Sequence, residues 1–352
     1  MPKVKVAVLG ATGAVGQRFV QLLEGHPWFE VTALTGSDRT VGQAYGAGCR
    51  WILPTPMPAF ARDMRVLPTE PGFEAALAFS ALPPDMARIA EPKLAAAGYA
   101  VCSNASAHRM APDVPLIIAE VNPEHTGLIG RQKQQRGWTG FILTNPNCTS
   151  TGLTVALKAL QDRYGLKRVF AVSLQALSGA GYPGVPSLDI IDNVVPFIPG
   201  EEEKVETEPR KMLGRLREDG VEMAAVSISA QCNRVAVSDG HLVCASVECE
   251  QAVTPSEVEA CLAEYQAPAA VQGLPSVARP VLAVRSEPDR PQPRLDRDSG
   301  RGMTTVVGRV RPDPLFHVKL VILSHNTVHG AAGGAILNGE LLVAQGCLND
   351  YA

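Results

Sequence analysis

A chain of 352 residues, 46 % hydrophobic and 19 % charged, is longer than one hydrophobic core usually organises and too apolar for extended disorder, so two packed domains are expected. A formal net charge of −3 excludes a global electrostatic pull toward nucleic acid or anionic lipid, and no apolar run is long enough to span a membrane.

The chain opens Met1-Pro2-Lys3-Val4-Lys5-Val6 and enters a strand at once, Val4 to Leu9, so no signal peptide is expected and the cytoplasm is the expected compartment. Gly10 ends that strand, and Ala14 to Leu23 follows with helical spacing through Val15, Phe19, Leu22 and Leu23. A second strand is predicted over Glu30 to Thr35, followed by a Gly- and Pro-rich stretch from Gly42 to Pro68 without a regular pattern. Strands are then predicted at Ala75 to Ser80, Tyr99 to Ser103 and Pro115 to Ile118, with a helix at Pro84 to Ala97. This alternation implies a mostly parallel sheet covered on both faces.

Gly130 to Gly137 reads as a solvated turn or helix, and Phe141 to Thr144 leads into Asn145-Pro146-Asn147-Cys148-Thr149-Ser150. Beyond it come a helix at Leu153 to Tyr164, a strand at Arg168 to Ala176, the loop Ser178 to Gly184 and a one-stripe helix from Glu201 to Gly220. Strands are expected at Val226 to Ala230 and His241 to Glu248, and a helix at Ser256 to Tyr265 opened by Pro255. After a charged loop from Ser286 to Gly302, strands at Met303 to Val310 and Phe316 to Leu323 precede a helix at Ala331 to Ala344 that can return to the first domain. The expected division is 1–147 with the C-terminal segment 331–352 for the first domain, and 148–330 for the second. Eight cysteines are scattered without a C-x-x-C pair, which suits buried thiols in a reducing compartment, and no metal ligands are assigned.

Gly10-Ala11-Thr12-Gly13-Ala14-Val15-Gly16 sits between a strand and a helix, where small residues let backbone amides and the helix N-terminus meet a pyrophosphate. Gly10, Thr12, Gly13, Ala14, Val15 and Gly16 are therefore the expected cofactor turn. After the second strand, Ser37, Arg39 and Thr40 can donate to a 2′-phosphate, which favours NADP, while neighbouring Asp38 would suit the free hydroxyl of NAD.

Cys148 stands where a helix begins, and unpaired amides there favour negative charge on a nucleophilic sulfur. Asn147 can orient the thiol or donate to an oxyanion. His241 follows Asp239-Gly240 at a strand edge and can move protons, and Arg234, seven residues earlier, has the planar fork that grips a carboxylate.

In order along the chain, the glycine turn, the Cys148 loop, Gln175 with Ser178-Gly179-Ala180-Gly181-Tyr182-Pro183-Gly184, Glu201-Glu202-Glu203-Lys204, Arg234 to His241, and Asn326 to Ala335 resemble the aspartate-semialdehyde dehydrogenase family. The likeness is to the branch found in archaea, fungi and some bacteria, and covers nearly the whole length. It implies an α/β protein: a Rossmann-like dinucleotide-binding domain plus an α+β catalytic and dimerisation domain of the glyceraldehyde-phosphate-dehydrogenase-like type. The implied reaction is NADPH-dependent reductive dephosphorylation of L-aspartyl 4-phosphate to L-aspartate 4-semialdehyde and phosphate, on the route to lysine, threonine, methionine and isoleucine.

The resemblance also implies roles. Cys148 would be the nucleophile, His241 the acid/base and Gln175 an orienting group, with Arg234 on the substrate α-carboxylate. Lys204 and Arg109 would bind phosphate, and Glu201 would meet the substrate amine or organise the site. Ser178, Gly179 and Asn338 would contact the cofactor, and His329 stands where many relatives carry arginine. A homo-oligomer, dimer or tetramer, is implied, with no nucleic-acid or membrane partner. Two other readings are a malonyl-CoA or succinyl-CoA reductase, which needs a longer pocket and no phosphate site, and a non-catalytic NADP-binding regulator, indifferent to loss of Cys148. N-acetyl-glutamyl-phosphate reductase and glyceraldehyde-phosphate dehydrogenase share the plan but not these substrate motifs.

Overall fold

Successive residues of the first strands belong to two different hydrophobic clusters: Val6 and Val8 pack on one side, Ala7 and Leu9 on the other, and all four are fully buried. Because side chains alternate along a strand, this is the mark of a sheet covered on both faces. The computed structural model, which describes residues 2–348, contains that sheet as β1 (Val4–Leu9), β2 (Phe29–Thr35), β3 (Val66–Leu67), β4 (Leu77–Ser80), β5 (Ala100–Ser103) and β6 (Phe141–Thr144). The order is β3-β2-β1-β4-β5-β6 with every pair parallel, the doubly wound arrangement whose ligand crevice lies at the strand C-termini.

One face carries the helix Pro84–Ala96; the other carries Ala14–Leu22 and the late helix Gly333–Ala344. The late helix lies so close to β4 that a Cβ at Gly339 would stand 2.9 Å from the Phe79 ring. Glu340 of the same helix accepts from Ser276 and lies 2.9 Å from His26 Nε2, joining that helix to a loop on each side.

The second sheet is mixed: β7 (Leu166–Gln175), β10 (Ser227–Arg234), β11 (His241–Cys249), β12 (Leu282–Arg285), β13 (Thr305–Pro312) and β14 (Val318–Ser324), ordered β10-β7-β11-β14-β13-β12. Between β7 and β10 a separate hairpin forms from β8 (Arg215–Arg217) and β9 (Gly220–Glu222). The helix Cys148–Tyr164 packs Leu153, Ala156, Leu157 and Leu160 into the shared core, each at most 1 % exposed.

Several predicted elements differ. The helix predicted from Leu153 begins at Cys148, because Asn147 caps it by accepting from Thr149 N and Ser150 N. Pro115 to Ile118 is not a strand; only a bridge from Leu116 to Thr144 forms, since Pro115 has no N–H and Asn122 Oδ1 takes the Ile118 N–H. The helix predicted to reach Gly220 stops at Met212 and gives way to the β8–β9 hairpin. The strand predicted to end at Ala230 runs on to Arg234, β12 falls where no strand was predicted, and a π-type turn over Val328–Ala332 delays the last helix to Gly333. Residues 349–352 of the expected C-terminal segment lie outside the described residues.

Candidate active site

The glycine turn follows β1 at the crevice. Gly10 adopts φ +69°, and a Cβ on Gly16 would lie 2.2 Å from Gly10 O, so the turn and the following helix touch backbone to backbone. Thr12, Gly13, Ala14 and Val15 line a cleft of about 920 Å³, while Gly10 and Gly16 shape the turn behind it. Gln17 fastens the turn: its Nε2 donates to Thr12 O and Arg50 O, and its Oε1 accepts from Ile52 N.

On the opposite wall, strand direction places the chemistry. β10 and β7 run parallel and end together at Arg234 and Gln175, while β11 runs antiparallel and begins at the same edge with His241. Arg234 and His241, seven residues apart in sequence, thus share one end of the sheet. His241 Nε2 lies 3.2 Å from Cys148 Sγ. Gly179 leaves room for both, since a Cβ there would stand 2.7 Å from Arg234 Nη1 and 3.0 Å from His241 Nε2. Asn326 steadies this corner by donating to Ser178 Oγ and accepting from Gly240 N.

Cys148 is the first residue of its helix and opens in part onto the cleft. Withdrawal from water pushes its thiol up to about 12, with Glu201 adding to the rise and Arg109 and Arg234 opposing it. Burial pulls the His241 imidazole down to about 3, helped by Arg234 and His325. His241 Nδ1 accepts from Ala176 N at 3.0 Å, so the single ring proton of the neutral form sits on Nε2 and faces the sulfur. Both shifts favour the neutral forms, a thiol beside a neutral imidazole.

Arg109, Lys204 and Arg234 also line the cleft, a cationic set within an acidic chain. Arg234 Nη1 donates to Ala176 O at 2.8 Å. Lys204 Nζ lies 3.5 Å from Glu201 Oε2, and Glu201 Oε1 accepts from Asn147 Nδ2 at 2.9 Å. Asn147 thus spends its carbonyl on the helix cap and an N–H on Glu201, the reason it acts first as an organiser of the cysteine loop. Ser178 and Gly179 line the cleft as well.

Other expected residues lie elsewhere. Gln175 is buried behind the wall and donates to Ser173 Oγ. Asn338 is buried and donates to Ile117 O and Asn145 Oδ1, so it holds the cysteine loop from below instead of opening on the cleft. Ser37, Arg39 and Thr40 follow β2 on the surface outside the cleft, where Thr40 Oγ1 donates to Ser37 O. His329 points into the core, its Nε2 3.0 Å from Glu120 Oε1.

Two residues escaped the sequence reading. Arg50 lines the cleft and lies over the Tyr182 ring at 5.3 Å, bridging its two sides. Glu208, 2 % exposed, accepts from Arg109 Nη1 and from Asn147 N. The signal for Glu208 was present as helical spacing, since 201, 204 and 208 fall on one face; Arg50 had no signal in its Gly- and Pro-rich surroundings.

Residues 5–129 match the family model "Semialdehyde dehydrogenase, NAD binding domain", and residues 157–329 match "Semialdehyde dehydrogenase, dimerisation domain". The aspartate-semialdehyde dehydrogenase of Archaeoglobus fulgidus is 53 % identical over 341 residues, covering 97 % of this chain and 98 % of the relative. That of Methanothermobacter thermautotrophicus is 50 % identical over 343 residues, covering 96 % and 99 %. Among solved structures, aspartate semialdehyde dehydrogenase with NADP from Candida albicans superposes with a TM-score of 0.90 at 40 % identity, covering 98 % of this chain and 99 % of the other.

Proposed function

The chain belongs to the aspartate-semialdehyde dehydrogenase family, and on that premise we propose how its own residues carry out the reaction. It is an NADP-dependent oxidoreductase that converts L-aspartyl 4-phosphate to L-aspartate 4-semialdehyde and phosphate in lysine, threonine, methionine and isoleucine biosynthesis. The observation that carries the residue assignment is the 3.2 Å Cys148–His241 contact inside a cleft shared by the glycine turn and by Arg109, Lys204 and Arg234. The comparisons support this reading over a CoA-thioester reductase or a non-catalytic regulator.

The cradle fits a dinucleotide: the turn residues line the cleft, and small residues face the sulfur, where a Cβ on Gly330 would already stand 2.8 Å from Cys148 Cβ. Ser37, Arg39 and Thr40 remain the proposed 2′-phosphate donors. When bound, NADPH supplies hydride to the acyl carbon.

Arg234 holds the substrate α-carboxylate and Glu201 its ammonium, leaving the acyl phosphate between Cys148 and the Arg109–Lys204 pair. Cys148 Sγ bonds to the acyl carbon as the carbon–oxygen bond to phosphate breaks; the thiol proton leaves on the departing phosphate, whose remaining charge is met by Arg109 and Lys204. After reduction of the thioester, the Nε2–H of His241 donates a hydrogen bond to the oxyanion of the thiohemiacetal. Collapse of that oxyanion re-forms the carbonyl, breaks the carbon–sulfur bond and releases the aldehyde, leaving a Cys148 thiolate that takes a proton from water.

The decisive experiment is phosphate-dependent oxidation of aspartate semialdehyde with NADP, compared with NAD and with succinic semialdehyde. Turnover that needs phosphate and prefers NADP is expected; equal turnover without phosphate would overturn the reading. In the same assay Arg234→Ala should raise KM for the semialdehyde by about tenfold or more while leaving KM for NADP near wild type. Gly330→Ala should lower kcat by about tenfold or more with circular dichroism unchanged, because the new methyl must displace the nucleophile it faces.

The chain forms a homo-oligomer, as the match to a dimerisation domain supports. A dimer through the outer face of the second sheet suits the exposed Phe170 and the apolar Leu188, Ile191 and Phe197 nearby in sequence. Among the described residues no helix is long and apolar enough to cross a membrane; the unpaired cysteines, which suit a reducing compartment, support a cytoplasmic location.

A further inference from the structure

The helix Glu201–Met212 does more at the cleft than present Lys204. Glu208, one turn beyond Lys204, is 2 % exposed, and each carboxylate oxygen takes one donor: Arg109 Nη1 at 2.9 Å on Oε1 and Asn147 N at 2.5 Å on Oε2. Those donors come from different loops of the first sheet, one after β5 and one after β6. Lys211, three residues on, is 3 % exposed and donates from Nζ to Arg109 O at 2.7 Å and to Ala111 O and Val114 O at 2.8 Å. The same helix therefore grips Arg109 at both ends, guanidinium by Glu208 and backbone by Lys211. Arg109 Nη2 donates to Asn104 O, so two of its nitrogens are spent on orientation, while its buried Nε has no partner among the described residues.

We propose that Glu208 is a positioning residue that presets Arg109 for the phosphate and, through Asn147 N, ties that anion site to the loop bearing the nucleophile. The inference rests on the reaction proposed above, with Arg109 at the phosphate. A buried carboxylate beside an anion site is costly there, because it repels the anion the arginine must attract. Two converging donors give a physical reason for its presence: a single rigid acceptor keeps the guanidinium and Asn147 in a fixed relation. Neutral glutamine cannot do the same, since one end of its amide is a donor and would face an N–H.

The test is Glu208→Gln and Glu208→Asp, each alone and with Arg109→Ala, in the phosphate-dependent assay. Glu208→Gln should raise KM for phosphate about tenfold or more with KM for NADP changed by less than about twofold. Glu208→Asp, which keeps the charge but shortens the reach, should fall between it and wild type. With Arg109 removed, the Glu208 substitutions should add less than about twofold to KM for phosphate, because residues acting through one partner are not additive.

A second reading without turnover is protection of Cys148 from iodoacetamide by inorganic phosphate, followed by mass spectrometry. Protection should need higher phosphate in Glu208→Gln by a similar factor. If Glu208→Gln does not fold, Glu208→Asp carries both measurements. An unchanged phosphate KM and protection, a uniform rise in every KM, or full additivity with Arg109→Ala would overturn the proposal. If wild type shows no phosphate-dependent turnover, the assigned reaction fails, while the protection experiment still decides whether Glu208 sets the anion site.

Discussion

Cys148→Ala is expected to abolish turnover, a fall of about 10⁴-fold or more, with the fold retained. Without the sulfur no thioester forms, and the remaining groups of the cleft can bind substrate but cannot divide the reaction into two displacements at carbon. The fold should survive because the helix that begins here is capped by Asn147, not by the thiol, and because Cys148 already opens onto the cleft. Rapid quenching of wild type during turnover, followed by peptide mass spectrometry, should find the acyl group on Cys148. An adduct on another residue, or substantial turnover by the alanine variant, would end the proposed mechanism.

His241→Gln should lower kcat by about 10²- to 10⁴-fold and change KM for the semialdehyde little, since the imidazole touches the sulfur and not the substrate clamp. Its pH behaviour discriminates more sharply. Burial holds His241 near 3 and Cys148 near 12, and both shifts favour the neutral form. The histidine therefore stays neutral from pH 5 upward, and the thiolate fraction of the free enzyme grows as pH rises. Alkylation of Cys148 should accordingly accelerate steadily through neutral and alkaline pH, with no inflection near the ordinary histidine value of about 6.5. A plateau between pH 6 and 9 would mean a preformed thiolate–imidazolium pair and contradict the Ala176 N–H contact that places the ring proton on Nε2.

The Rossmann half was readable because its cues are local. Four-residue apolar runs, a glycine turn before Ala14 and helical spacing over Pro84 to Ala97 each report on neighbours a few positions away, and β1, β2, β4 and β5 lie within a few residues of predicted strands, while the two-residue β3 falls in the stretch read as irregular. Pro115 to Ile118 was misread for the same reason: its composition is strand-like, but a side chain four residues on, Asn122, captures its N–H. The apolar pattern marked the cysteine helix only from Leu153, although Cys148 was placed at a helix start, because Thr149, Ser150 and Thr151 have poor intrinsic helix propensity, which the Asn147 cap and burial at no more than 2 % exposure override.

The site divides along the same line. Cys148, His241 and Arg234 could be singled out by residue type and by their order in a family pattern; Glu208 was given no role that way and Asn338 was given a cofactor contact it does not make, because a buried carboxylate and a buried amide are understood only through their partners. The amino-acid sequence by itself determined the two-domain α/β plan, the glycine turn, the candidate nucleophile and the family to which the chain belongs. Tertiary structure alone decided that antiparallel β11 delivers His241 to the end of the sheet where β10 leaves Arg234, that Asn338 faces the core, and that Glu208 clamps Arg109. The physical reason is distance along the chain: contacts between Cys148 and His241 span 93 residues, and those between Arg109 and Glu208 span 99, and no local periodicity carries information that far.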